Sequence, residues 1–247
     1  MQTIRMTIST QLAAVALTAA VSHAAVVITP QSSTGTVHSS TAWASLKSTT
    51  DLINAGQSTF SSATVSPTFA FPARGLNDGT SANAGTTDNT FFHVDSGNFP
   101  ATATFDLNIA VHTLGYDITS MQSFMGWSTV SMAQGNQTYT VAVSAVGSAA
   151  YTDIATVAYT PFADVSGTDY DSHVLITDST GTLATGVDSI RFTFLDPLLS
   201  VTPGGGGFPG TLVRELDVFG TAATVPEPSA MMLGLLSPAL LLGRRRR

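Results

Sequence analysis

Thr211-Leu212-Val213-Arg214-Glu215-Leu216-Asp217-Val218-Phe219 alternates with a period of two, and this stretch decides the fold class. Successive side chains of an extended chain point to opposite sides. One face therefore reads Leu212, Arg214, Leu216, Val218 and the other Val213, Glu215, Asp217, Phe219. The same period recurs outward from it. In Gln137 to Val146 the residues Tyr139, Val141, Val143 and Ala145 share a face, and in Val187 to Leu195 so do Ile190, Phe192 and Phe194. Further strands are expected at Ala101 to Leu107, Ile118 to Trp127, Tyr151 to Tyr159 and His173 to Asp178. Turn-forming groups stand between them: Asn77-Asp78-Gly79, Ser96-Gly97-Asn98, Gln134-Gly135-Asn136, Ser166-Gly167-Thr168 and Thr180-Gly181. Seven or more short strands at this spacing predict an all-β fold, an antiparallel β-sandwich.

Composition supports that reading and narrows the partners. Only 10% of the 247 residues are charged, which suits strands joined by polar turns better than charged amphipathic helices. Five of the nine basic residues, Arg5 and Arg244 to Arg247, sit in the terminal segments. The middle is left acidic, with Lys47, Arg74, Arg191 and Arg214 as its cations. Such a surface repels phosphate backbones, so nucleic acid is excluded as a partner, and divalent cations or neutral glycans fit better. With no cysteine, the chain has neither disulfides nor a thiolate metal site.

Both ends read as targeting segments. Arg5 precedes an apolar stretch from Leu12 to Val21 and then Ser22-His23-Ala24, a small-x-small site that signal peptidase would cut after Ala24. At the other end Pro226-Glu227-Pro228 precedes an apolar run from Ala230 to Gly243 and the terminal Arg244, Arg245, Arg246 and Arg247. The prolines hold the backbone extended, the apolar run can enter a membrane as a short hydrophobic helix, and the arginines keep the tip on the cytoplasmic side. Fourteen helical residues at about 1.5 Å each reach only about 21 Å, a poor permanent anchor but a workable transient one. This arrangement resembles the PEP-CTERM sorting signal of Gram-negative bacteria. The resemblance implies recognition by an exosortase-type sorting enzyme, release or re-anchoring in the envelope or outside the cell, and an association with exopolysaccharide and biofilm.

The expected organisation is a signal peptide over 1–24, a lead-in and first strand region over 25–73, the β-sandwich over 74–220, a linker over 221–228 and the hydrophobic segment with its arginine tail over 229–247. Residues 25–40 read as an exposed lead-in. From Trp43 to Ile53 the apolar spacing leaves a short helix or an irregular first strand open, with Gly56 as a stop. Gly204 to Gly207 has no lysine after it, so it is a flexible loop and not a phosphate cradle.

The order of the pieces carries a second resemblance. Leu76-Asn77-Asp78-Gly79, Asp88-Asn89-Thr90-Phe91-Phe92, Ala103-Thr104-Phe105-Asp106-Leu107, Tyr116-Asp117-Ile118-Thr119-Ser120, Gln137-Thr138-Tyr139-Thr140-Val141 and Arg214-Glu215-Leu216-Asp217-Val218-Phe219-Gly220 look like the discoidin-like, galactose-binding-like jelly roll. Asn108 departs from that pattern, which usually has glycine there. The resemblance implies one structural calcium held by Asp78, Asn89, Thr90 and Glu215. Calcium takes six to eight oxygen ligands, and an Asp-Gly turn can aim a carboxylate and a carbonyl at one point. It also implies a sugar stacked on an aromatic at a loop tip, for which Trp127 is the candidate ahead of Phe92 and Phe208.

Catalysis has little support. His38, His93, His112 and His173 are scattered, and no serine sits in a Gly-x-Ser-x-Gly elbow. The expectation is a non-enzymatic, exported envelope or matrix protein with a carbohydrate-binding β-sandwich and a polysaccharide partner. The alternatives are a purely structural biofilm matrix protein without a small ligand and, behind it, a secreted hydrolase.

Overall fold

Wherever polar and apolar residues alternate, the chain is extended in the computed structural model, which describes residues 25–34, 43–66, 76–79, 92–95, 99–127, 135–162, 170–196 and 210–224. Among these are ten strands: β1 (Val26–Thr34), β2 (Phe60–Ser66), β3 (Phe92–Asp95), β4 (Ala101–Leu107), β5 (Tyr116–Trp127), β6 (Gln137–Ala145), β7 (Thr152–Tyr159), β8 (Tyr170–Asp178), β9 (Ala184–Phe194) and β10 (Gly210–Ala222). They pair antiparallel in the orders β1-β8-β5-β10-β3 and β2-β4-β9-β6-β7. The two layers join at one corner, where Tyr116 and Ile118 of β5 meet Val187 and Ala184 of β9.

Period-two patterning drives this assembly, because each strand buries one face against the opposite layer. Along β4, Ala101, Ala103, Phe105 and Leu107 are buried and the residues between them are half-buried. Phe105, Tyr139, Val141, Phe192 and Phe194 from one layer meet Met121, Met125, Val174, Ile176, Val213, Leu216 and Val218 from the other. The Phe105 and Phe192 rings meet edge to face at 6.1 Å, a favoured aromatic geometry. Polar atoms buried between the layers are paired: Ser123 Oγ lies 2.7 Å from Tyr139 Oη, and Gln137 Nε2 donates to Ser172 Oγ at 2.8 Å.

Several expectations change. The two-face reading of residues 211–219 fails at Arg214, because the register shifts between Val213 and Glu215. This bulge puts Val213 in the core and leaves Arg214 beside Asp171, outside it. Ala145 is exposed, unlike Tyr139, Val141 and Val143. The expected lead-in holds a strand, β1, paired with β8 from Val26↔Asp178 to Thr34↔Tyr170. With β2 paired to β4, the sandwich takes in strands from before residue 74. The stretch from Trp43 is a single 3-10 turn, Ala44–Leu46, followed by turns, and is neither a regular helix nor a strand.

The signal peptide with Ala24, the motif Pro226-Glu227-Pro228, the C-terminal hydrophobic segment and Arg244 to Arg247 lie outside the described residues. Among the described residues no helix is long and apolar enough to cross a membrane.

Candidate functional site

The outer face of β10 carries Glu215 and Asp217, which a solvated sheet would leave in water. Here a strap closes over them, and both are fully buried. Leu52 N donates to Val218 O and Leu216 N to Leu76 O, each at 2.8 Å, so residues 51–54 and 76–79 run along β10. Asn77 ties the two parts of the strap together through its side-chain amide on Ile53 O. Gln122 Nε2 donates to Asp217 Oδ2 at 2.8 Å and to Leu46 O at 2.6 Å, and Ser48 N donates to Asp217 Oδ2 at 3.2 Å. Asp51 Oδ1 accepts from Ile53 N at 3.1 Å and Val218 N at 3.3 Å. Gly79 N donates to Glu215 Oε1 at 2.9 Å. His173 completes the layer, stacked on Phe124 at 4.7 Å, with Nε2 3.0 Å from Gln122 Oε1.

Charge in this layer is unbalanced. Lys47 faces Asp171, Glu215 and Asp217, and Arg214 lies 4.0 Å from Asp171, while Asp51 and Asp78 add negative charge around Glu215. One oxygen on each of three buried carboxylates, Asp51 Oδ2, Glu215 Oε2 and Asp217 Oδ1, has no hydrogen-bond partner. Burial pushes Asp51 up to about 7, with Asp217 adding to the effect. Burial likewise raises Asp217 to about 6, and Glu215 far above the carboxylate range, helped by its neighbours Asp217, Asp78 and Asp51. Burial, then Arg214, lowers Lys47 to about 8. Such a layer needs protons or a cation. All the donors here are hard oxygens, the chemistry calcium takes. Yet among the described residues no three acidic or histidine side chains converge as metal ligands. The donor type fits a cation, while the described residues do not by themselves form a closed cage.

A second polar site lies on the outer face of the other layer. β9 bulges at Asp188, since Ser144 pairs with Ser189 but Ala145 pairs with Val187. Asp188 thereby joins Ser189 on the wall of a cleft of about 400 Å³, with Asp106, Ser144, Ser148 and Tyr151 around it and Leu107, Ile109 and Ala149 supplying apolar surface. Asp106 is held from both sides, accepting from Ser62 Oγ and Ser189 Oγ at 2.8 Å each. With the Ser189 hydrogen committed to Asp106, Tyr151 Oη donates to Ser189 Oγ at 2.7 Å. The Arg191 guanidinium lies 3.9 Å from the Tyr151 ring centroid and fixes that ring. Asp188 Oδ1 is buried without a hydrogen-bond partner.

The sequence matches no protein-family model and no curated protein. It is similar to solved carbohydrate-binding modules. A CBM32 domain from Clostridium perfringens, in complex with GalNAc-β-1,3-galactose, has 19% identity and a TM-score of 0.36 over 64% of this chain and 94% of that one. Chitosan-binding module 1 of a chitosanase/glucanase from Paenibacillus sp. IK-5 has 19% identity and a TM-score of 0.38 over 69% of this chain and 98% of that one. An F5/8 type C domain from Bacteroides fragilis has 13% identity and a TM-score of 0.37, covering 66% and 92%. At such values the ligands of these modules say nothing about the ligand of this chain.

Of the expected calcium ligands, the Asp78-Gly79 turn and Glu215 come together, while Asn89 and Thr90 lie outside the described residues. Trp127 is the last residue of β5, its backbone opposite Tyr170; its ring lies outside what is described. Sequence reasoning missed Asp51 and Asp217 beside Glu215, and the whole group of Asp106, Tyr151, Asp188 and Ser189. Asp217 had a legible signal, lying two residues from Glu215 on the same strand face. Asp188 had none, because its orientation depends on a bulge.

Proposed function

We propose that this chain is an exported envelope or extracellular-matrix protein whose β-sandwich binds polysaccharide in the cleft of Asp106, Tyr151, Asp188 and Ser189. Signal peptidase cuts after Ala24, and an exosortase-type enzyme processes the tail at Pro226-Glu227-Pro228. A structural calcium held by Asp78 and Glu215, completed by Asn89 and Thr90, offsets part of the negative charge buried along β10.

The cleft carries the carbohydrate reading. Sugars offer hydroxyl edges and apolar C–H faces together, and the cleft opposes carboxylates and hydroxyls to Leu107 and Ile109. Its volume falls within the range of about 300–1,000 Å³ usual for small-ligand sites. Asp188 lines the cleft, and its carboxylate can accept from a sugar hydroxyl there. For calcium, the support is the three unpartnered carboxylate oxygens. For export and sorting, it is the motif order at the two ends of the sequence.

A glycan array on the purified protein tests the carbohydrate reading. The expected result is a saturable hit weakened about ten- to a hundredfold by Asp188→Asn, the loss of one charged hydrogen bond. A hit lost on Trp127→Ala but unchanged by Asp188→Asn moves the site to the end of β5 and overturns the cleft. Absence of any hit returns the protein to a purely structural matrix role.

A further inference from the structure

Among the described residues seven large apolar side chains are exposed, and six of them, Val26, Val27, Ile109, Val111, Leu114 and Val146, gather at one end of the sandwich. Hydrogen bonds and close backbone contacts tie this end together. Val146 N donates to Gly186 O at 2.9 Å. Gly115 packs so tightly on residues 186 and 187 that a Cβ there would lie 2.6 Å from Val187 O. Ser179 N donates to Ala25 O at 3.3 Å, which brings the start of β1 to the same end. The final bond is the telling one: Ala223 N donates to Gly115 O at 2.9 Å. The chain therefore leaves the sandwich next to Leu114.

The chemistry of this end suits an apolar medium. The connections over residues 108–115, 146–151 and 179–183 contain no Lys, Arg, Asp or Glu, and the charges nearest to them are Asp106 and Asp188 in the cleft and Asp178 opposite Val26. Only five residues separate Thr224 from Ala230, where the apolar run of the tail begins. At about 3.3–3.6 Å per extended residue, that linker spans about 20 Å. A domain tethered so closely must present its exit end to whatever holds the tail.

We infer that the end bearing Val111, Leu114 and Val146 rests on the lipid bilayer while the tail is inserted, beside the cleft that Ile109 lines, so that the opposite end, where β5 finishes at Trp127, points away from the membrane. This rests on the tail being a membrane segment. The occupant is a bilayer surface and not a second copy, because the chain's own path from Ala223 leads from this patch to the apolar run.

The absence of cysteine allows a direct test on the full chain. Val111→Cys and, at the far end of β2, the exposed Ser66→Cys each take one environment-sensitive fluorophore, and the proteins are reconstituted into phosphatidylcholine–phosphatidylethanolamine vesicles containing a lipid-borne quencher. The expected result is quenching and a blue shift at position 111 and neither at 66. A chain that resists carbonate extraction while its label at 111 stays unquenched overturns the inference and leaves the tail reading standing. A chain released by carbonate overturns the tail reading itself. Ready disulfide dimerisation of unlabelled Val111→Cys without lipid, together with no lipid quenching, assigns the patch to a second copy instead.

Discussion

Gly79 N donates to Glu215 Oε1 at 2.9 Å, joining residues 136 apart in sequence and bringing the Asp78 turn to the buried acidic face of β10. Glu215 keeps its second oxygen without a partner at full burial. A buried carboxylate in that condition is costly unless a proton or a cation satisfies it.

Calcium should therefore raise the melting temperature and a chelator should lower it, since a ligand of the folded state alone stabilises that state. Glu215→Gln keeps the shape and removes the charge. It is expected to melt at one temperature with or without calcium, at or above the value of the chelated parent protein. Thermal scans in millimolar calcium and in chelator check this, and identical curves for the parent protein would remove calcium from the account.

In chelator, stability should fall as the pH rises from about 5 to about 7. Asp51 and Asp217 have folded values of about 7 and about 6, raised by burial. A carboxyl with a raised folded value contributes stability that is fully present below its unfolded value and lost as pH rises through the folded one. Glu215 acts in the same direction. His173, lowered by burial to about 4, opposes the trend below its ordinary value of 6.5, but it is one group against three. Lys47, lowered to about 8, has its effect only above that pH. Denaturation midpoints measured across this window should decline, and a flat or rising profile in chelator would show that the carboxylates are solvated.

Gly79→Ala should destabilise the domain by about 1–3 kcal/mol, the usual cost of a strained backbone position. Gly79 has φ 77°, and an added Cβ would lie 2.5 Å from Ser48 O in the strap. At about 2–4 °C per kcal/mol for a domain of this size, the melting temperature should drop by several degrees. Gly147→Ala is the control, with φ 82° but nothing within 4 Å of the added atom. It should cost less, and equal costs would mean that strap contact does not matter.

Phe192→Ala should cost about 3–5 kcal/mol in a denaturant titration, as large-to-small changes in closed cores do. Phe192 is fully buried and lies 5.9 Å from the Tyr139 ring and 6.1 Å from the Phe105 ring. A loss below about 1 kcal/mol would indicate a core able to collapse around the gap.

Strands with a clear two-residue period were legible in sequence: β4 runs over Ala101–Leu107 as expected, and Ile190, Phe192 and Phe194 line the core. β1 and β2 were not legible, because most of their side chains stay exposed and write no alternation. At the acidic site Asp78 and Glu215 were singled out by the resemblance to the discoidin-like jelly roll, and the structure brings the Asp78-Gly79 turn to Glu215. Asp51 was not, since the strap reaches β10 through backbone bonds such as Leu52 N to Val218 O, which any residue can make. Asp188 and Arg214 were misplaced or missed for one shared reason: a bulge moves a residue across a sheet without marking its composition.

From its sequence alone this protein is a layered β structure, because burial of one face per strand is a local rule that each segment obeys separately. Which carboxylates meet, which glycine must stay glycine and where the chain leaves the sandwich beside Leu114 depend on contacts between segments up to 169 residues apart, such as Ser48 with Asp217. Those contacts follow from how the layers, bulges and strap pack together, which local alternation does not encode.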